Sequence, residues 1–309
     1  MNIVYVAKHG CGYNQDEDAI SYSLEKLGHR VTKIQEVGNE TDVNFLVKEA
    51  ASKADLLLFH KWCSPEILDV LEDKLVRAFW YFDLVENPDP HLSQRSKARR
   101  TWMERVVPNV DIGFCTDGDW VAKDTSGKLV WLMQGADERM SAPVKQVDPP
   151  RYPILFAGST IKCGKLRDTF VKDLASRYGK KFTHIHSVGP KGGIYREQLG
   201  TVLANTGIVV APDFPVSSRY WSNRVYVMLG LGGFLLHPKC KGLLDHYHPP
   251  ELVMYSDRND LFALIDVFMD HPYTRYCRAC DGFERTLKEH TYRHRCQKLI
   301  EEVERRCMK

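Results

Sequence analysis

The sequence predicts an α/β protein built from two Rossmann-like halves, and three observations predict it. Short runs rich in β-branched and aromatic residues alternate with stretches of helical periodicity along the whole chain, the pattern of parallel strands joined by crossover helices. A proline-rich stretch, "SAPVKQVDPPRYP", breaks that alternation near the middle; fixed φ and missing N–H groups favour a linker there. After it the same alternation restarts. At 309 residues and 43% hydrophobic composition, the chain can build two cores of about 150 residues each.

In the first half, strands are expected at residues 2–7, 30–34, 54–60, 78–83, 112–116 and 129–131. Between the first two, "NQDEDAISYSLEKLG" reads as a helix. Asn14 or Asp16 caps it, acidic residues sit at its positive end and Gly28 stops it. In the second half "ILFAGS", "FTHIHSVG", "IVVAPD", "FLLHP" and "LVMYSD" read as strands. "LRDTFVKDLASRYG", "REQLGTVLANTG" and "NDLFALIDVFMD" read as helices, the first two ended by Gly179 and Gly207, and two more helices follow from Tyr273. The expected domains are residues 1–145, residues 146–272, and a pair of helices at the domain junction over 273–309. Ligands of open α/β sheets sit at the carboxyl ends of strands, so a cleft between the halves is where function is expected.

Composition narrows the class. The longest apolar runs, such as residues 226–236, fall short of the roughly 18 residues a membrane span needs. The opening "MNIVYVAKHG" reads as a strand without a charged leader. A cytoplasmic protein is expected, in the host cytoplasm if the source is viral. Nine cysteines, scattered within apolar patterns such as "IGFCTDG", predict free thiols rather than a disulfide framework.

A net charge of +3 does not by itself announce a nucleic-acid binder. The basic residues are clustered, however. Residues 273–309 hold ten Lys and Arg against six Asp and Glu. The run "HLSQRSKARRTWMERV" carries Arg95, Lys97, Arg99, Arg100 and Arg105 against Glu104. A solvated face is the ordinary reading of such runs, and a polyanion contact the sharper one.

The segment "SNRVYVMLGLGGFLLHP" offers an anion site. A helix start leaves N–H groups unpaired and carries partial positive charge, so it can bind phosphate. Ser222 or Asn223 serves as N-cap, Arg219 precedes the helix and Arg224 lies in its first turn, adding guanidinium forks suited to phosphate. Gly232-Gly233 ends the helix, either to allow close backbone approach or simply to make a tight helix-to-strand turn.

Taken together, "YWSNRVYVMLGLGGFLLHP", "GLLDHYHPPELVMYSDRNDLFALIDVFMDHP" and "KEHTYRHR" resemble the C-terminal half of glycosyltransferases related to the spore-maturation-protein type, which have the GT-B fold. "HGCGYNQDEDAISYSLEKLGHRV", "FWYFD" and "WLMQGAD" resemble landmarks of that group's N-terminal half. Val227 stands where the group's pattern has a glutamate. The resemblance implies a nucleoside-diphosphate sugar, UDP-sugar favoured, bound mainly by the second domain, with a hydroxyl acceptor held by the first. It carries Arg224 over to the diphosphate, Gly232 and Gly233 to close packing there, and Gly158 with Ser159 to the donor loop. Lys162 and Arg167 become phosphate partners, Tyr220 borders the donor, and His290-Thr291-Tyr292 becomes a helix start near the domain junction. Two positive side chains and a helix terminus can offset the charge of a leaving diphosphate, so neither a metal nor a further cofactor is expected.

An inverting transfer needs a group to take the acceptor's proton. Asp83, ending "RAFWYFD", is the first candidate, with His60, ending "LLLFH", and His9, after the first strand, as second candidates. A loop anchor and satisfied polar contacts are their structural alternatives. The architecture also resembles that of bacteriophage enzymes that glycosylate hydroxymethyl-pyrimidines in DNA. That likeness implies a DNA acceptor met by His9, Arg95, Arg99 and Arg100, with Trp102 beside the phosphates or stacked on a base. A saccharide, a lipid-linked glycan or a protein is the alternative acceptor. A non-catalytic nucleotide-sugar-binding protein is the alternative class, and an epimerase on the same fold is a third.

Two motifs imitate metal sites. Asp117-Gly-Asp119 matches the Asp-x-Asp of another glycosyltransferase fold but reads as turn chemistry. Cys277-x-x-Cys280 with His290 and His294 imitates a zinc finger, yet it has no preceding hairpin and its spacing is short. Helical spacing instead makes Tyr276, Cys280 and Phe283 candidates for core.

Overall fold

The computed structural model describes residues 1–10, 15–36, 43–60, 65–71, 74–87, 93–141, 144–145, 147–159, 165–185, 196–211 and 217–308; Asn14 and Lys162 lie outside them. The chain divides into two units, Met1–Gln134 with Tyr292–Lys309, and Gly135–Thr291. The division thus precedes the proline-rich stretch instead of falling at 145/146. The segment before those prolines is tied into the second unit, where the Ala136 N–H donates to the His290 carbonyl at 2.8 Å.

The first unit is a parallel six-stranded sheet. Its chain order runs β1 (Asn2–Ala7), α1 (Gln15–Lys26), β2 (Arg30–Gln35), α2 (Val43–Ala51), β3 (Leu56–His60), β4 (Val76–Tyr81), α3 (Ser93–Val106), β5 (Ile112–Cys115), α4 (Gly118–Val121) and β6 (Leu129–Trp131). The strand order is β2-β1-β3-β4-β5-β6. Every residue of β3 and β5 is buried, as expected where helices cover both faces, so these strands read as continuous apolar runs. Asp16, Glu17 and Asp18 open α1 and Lys26 closes it, each complementing the helix dipole. Gly28 follows at φ +87°, where a Cβ would be strained.

The turn reading of Asp117 holds. Its carboxylate accepts from the Trp120 N–H at 3.1 Å and the Val85 N–H at 2.9 Å, capping α4 and anchoring the loop after β4. Burial raises its carboxyl above the usual range. Asp117→Ala is expected to cost about 2–3 kcal/mol in urea unfolding, since it removes a cap and strands a buried amide.

The second unit is a parallel five-stranded sheet. Its elements are β7 (Tyr152–Ala157), α5 (Lys165–Tyr178), β8 (Phe182–Ile185), α6 (Arg196–Leu203), β9 (Thr206–Val210), α7 (Arg224–Gly230), β10 (Leu235–Pro238), β11 (Val253–Tyr255), α8 (Arg258–Met269) and α9 (Pro272–Glu289). The strand order is β11-β10-β9-β7-β8. Gly207 does not stop α6; it lies inside β9, where a Cβ would come 2.8 Å from the Pro153 carbonyl oxygen. Asp257 caps α8 through the Asn259 and Asp260 N–H groups at 2.8 and 3.0 Å. Tyr276, Cys280 and Phe283 are half-buried rather than core. The buried side of α9 is Arg275, Ala279, Gly282 and Thr286, mostly small residues that let neighbouring backbone approach. The Arg275 guanidinium donates to the Phe268 and Met269 carbonyls, closing the C-terminal end of α8.

The last helix, α10 (Tyr292–Cys307), belongs to the first unit. Tyr292, Cys296, Leu299, Ile300 and Val303 join the cluster of Ile3, Tyr5, Ala19, Ile20 and Leu24. The described cysteines are free thiols. Among the described residues no group of three His, Cys, Asp or Glu is placed to hold a metal ion, and no helix is long and apolar enough to cross a membrane.

Candidate functional site

Each sheet reverses direction of growth at one place, and the carboxyl edge there is where α/β sheets bind ligands. In the second unit that place lies between β7 and β9. Gly158 follows β7 and Arg224 opens α7 directly against it. Arg224 Nε donates to the Ala157 carbonyl at 3.2 Å, and the guanidinium carbon lies 5.5 Å from the centre of the Phe156 ring. A Cβ on Gly158 would meet Arg224 Nη2 at 2.7 Å. The glycine therefore makes room for the guanidinium.

The turn after β7 is held from several sides. The Gly158 N–H donates to the Ile185 carbonyl at 2.9 Å. His184 Nε2 bonds to the Gly158 carbonyl at 2.9 Å while its ring stacks on Phe156 with centroids 5.1 Å apart. Arg167 Nη1 donates to the Ser159 carbonyl at 3.3 Å, a contact that positions the loop. Ser222, rather than Asn223, serves as the cap, its hydroxyl accepting from the Arg224 N–H at 3.3 Å.

Tyr220 lies just ahead of this start. It pairs in a short bridge with Ser217, and the Cys240 thiol sits 3.0 Å from the Ser217 carbonyl beneath that turn. Behind α7, Trp221 Nε1 donates to the Tyr226 hydroxyl at 3.1 Å, and that hydroxyl contacts His246 Nδ1 at 3.1 Å. His290 stacks on His246 with centroids 4.9 Å apart. The sequence pointed to His290 but not to Trp221, Tyr226, His246 or His184; "GLLDHYHPP" and "FTHIH" carried no spacing that would have singled them out.

Gly232 and Gly233 are elsewhere. Their N–H groups donate to the Leu229 and Met228 carbonyls at 2.9 Å each, and Gly232 has φ +75°. This is a Schellman turn. It lies at the far end of α7 from Arg224, beside the start of β10, so the plain turn reading of the pair replaces the phosphate-side one. Val227 is half-buried and lines a small cavity with Ala136, Asp137 and Met140.

In the first unit the sheet reverses between β1 and β3, and His9 and His60 stand at that edge. The Tyr5 hydroxyl and His60 Nε2 share a hydrogen bond of 2.5 Å, and burial, followed by the charge of Glu17, pushes the Tyr5 phenol well up. His60 is almost fully buried, with Phe82 against its ring at 4.5 Å. His9 Nε2 contacts the Tyr5 carbonyl at 3.1 Å, and Nδ1 faces Asp18 at 3.7 Å. His9, a bonded neighbour, holds the Asp18 carboxyl below its usual range.

Asp83 lies two residues beyond β4, not at its end. Its carboxylate accepts from Arg99 Nη2 at 3.2 Å, and Arg99 Nη1 donates to the Leu84 carbonyl at 2.7 Å. Arg100 contacts Glu86 at 3.3 Å and Arg105 contacts Glu66 at 2.7 Å. The basic run is thus largely neutralised by carboxylates of its own unit. Arg95 and Lys97 are exposed on α3.

A family model described as glycosyl transferase-like matches residues 142–301, just over half of the chain. No curated protein matches the sequence. Among solved structures, Anabaena HepE in complex with UDP and glucose is 10% identical with a TM-score of 0.65, covering 99% of this chain and 100% of its own. An α-glucosyltransferase in complex with UDP and a 13-mer DNA containing a central A:G mismatch is 12% identical with a TM-score of 0.68, covering 98% of each chain. The N-terminal domain of Candida albicans trehalose-6-phosphate phosphatase is 8% identical with a TM-score of 0.61, covering 99% and 97%. At such identities the likeness is one of fold, two parallel-sheet units of the GT-B class.

Proposed function

We propose, from the premise that the chain belongs to the glycosyl transferase-like family, that it moves a sugar from a UDP-sugar to a hydroxyl acceptor. The single observation that carries this reading is the seat of Arg224, a guanidinium at the carboxyl edge of β7 with a glycine beneath it. The solved neighbours with UDP support uridine as the nucleotide.

In the proposed step the acceptor oxygen bonds to the anomeric carbon while the bond from that carbon to the diphosphate oxygen breaks. The electron pair leaves on UDP, where Arg224 offsets the new charge. The acceptor's proton passes to the Asp83 carboxylate, oriented by Arg99. His60 is spent on Tyr5 and buried, and both ring nitrogens of His9 face protein groups, which leaves Asp83 as the better-exposed base. The reading needs no metal, so transfer is expected to persist in a chelator.

A hydroxymethyl-pyrimidine in DNA is the proposed acceptor, supported by the fold likeness to a DNA-bound glucosyltransferase. The phosphate contact then falls on Arg95 and Lys97, exposed cations of α3, with Arg99 and Arg100 set against Asp83 and Glu86. Those ion pairs also favour a second reading, in which the acceptor is a saccharide, a lipid-linked glycan or a protein.

The deciding experiment incubates the protein with UDP-glucose, with and without duplex DNA containing hydroxymethylcytosine. Donor binding should raise the melting temperature, and glucose should be transferred to the base. Arg95→Glu with Lys97→Glu should flatten the salt dependence of DNA binding by about two phosphate contacts. Slow hydrolysis of the donor without transfer to DNA would leave the second reading. Tight UDP-glucose binding with neither hydrolysis nor transfer would make this a nucleotide-sugar-binding protein, as the missing carboxylate at Val227 allows.

A further inference from the structure

Among the described residues the sheet of the second unit ends at β11, which pairs with β10 alone. Against that edge lies a cavity of about 590 Å³, within the range of about 300–1,000 Å³ typical of small-molecule sites. Leu252 and Met254 from the β11 segment, Leu264 and Phe268 from α8, and the exposed Leu244 give it an apolar wall. The charged residues that line it are Lys239, Lys241 and Arg278, with no carboxylate among the described lining. Lys239 Nζ donates to the Ser256 hydroxyl at 2.6 Å and Arg278 Nη1 to the Pro249 carbonyl at 2.8 Å, both neutral acceptors that leave the positive charge uncompensated.

A hydrocarbon wall rimmed by cations selects a particular chemistry. An inserted peptide would bring backbone N–H and C=O groups that such a wall cannot pair, at a cost in desolvation. A nucleotide would bring polar base edges. A hydrocarbon chain ending in an anion satisfies both parts, burying its methylenes and placing its head among three cationic donors. We infer that this cavity binds a monomeric anionic amphiphile, a single alkyl or isoprenoid chain ending in phosphate or carboxylate. The inference does not depend on the transfer reaction proposed above. Its site adjoins the segment ahead of α7, because the Gly242 N–H donates to the Ser218 carbonyl at 2.7 Å, within the turn that leads to Arg224.

The test titrates the full chain with dodecyl phosphate below its micelle concentration, followed by calorimetry. Saturable binding of one equivalent is expected. Lys239→Glu with Lys241→Glu, and separately Leu244→Asp, should each weaken it about tenfold, and dodecyl maltoside should bind about tenfold more weakly than the phosphate. Both variants alter exposed residues, and unchanged melting temperature and circular dichroism confirm their folding. Non-saturable binding, wild-type affinity in both variants, or equal affinity for dodecyl maltoside would each overturn the inference. So would binding to phosphatidylglycerol vesicles with none to monomeric dodecyl phosphate, which would assign the cations to a bilayer surface instead.

Discussion

Arg224→Ala is expected to lower sugar transfer about 10²- to 10³-fold, the usual loss when a preorganised group facing developing charge is removed, with little change in melting temperature. The side chain is half-buried, donates to the Ala157 carbonyl and approaches the Phe156 ring. Truncation takes that donor from the carbonyl of the buried Ala157, a loss of about 1 kcal/mol that is small beside the loss in rate. The loss should fall mainly on turnover rather than on donor affinity if the guanidinium acts on the leaving diphosphate. Arg224→Lys should recover only part of the rate, because an ammonium keeps the charge and loses the planar fork. Steady-state kinetics with UDP-glucose, beside a melting curve of each variant, check both halves of this expectation. Wild-type turnover in Arg224→Ala would remove the residue from the reaction and with it the placement of the donor.

Gly282→Ala is expected to destabilise the second unit by about 2–3 kcal/mol. On helix propensity alone the change should stabilise by about 1 kcal/mol, so the sign is the test. A Cβ at this position would lie 2.4 Å from the Glu251 carbonyl oxygen and 3.0 Å from Leu229 Cδ2. The first of these is backbone and cannot swing aside, so the helix itself must move and the packing of α7 on α9 with it. Urea denaturation followed by circular dichroism reads the difference. A gain in stability would show that α9 has slack that the contact distances deny.

The parallel strands were legible because strands buried on both faces are unbroken apolar runs, as "LLLFH" and "IVVA" are. The place of Arg224 at a helix start was legible too, as a cation two residues past a capping serine, after a strand and a loop. What was misread depended on partners distant in the chain. Arg99 and Arg100 looked like a free basic face, and their carboxylates, Asp83 and Glu86, lie well upstream beyond a loop. Gly232-Gly233 fitted two readings equally in sequence, and only the hydrogen bonds to Met228 and Leu229 separate them. Gly207 resembled a helix stop because glycine marks both helix ends and close approach within strands, and here it meets Pro153. The proline cluster marked irregular backbone correctly, but the division of the chain lies upstream at Gln134, where no local signal stands.

Because α10 completes the cluster that β1 and α1 begin, the amino-terminal unit cannot mature in step with its synthesis. Its hydrophobic seat for Leu299, Ile300 and Val303 stays open while the ribosome makes everything in between, including the whole second sheet. A nascent chain released before those residues emerge would expose that greasy surface and invite chaperones or aggregation.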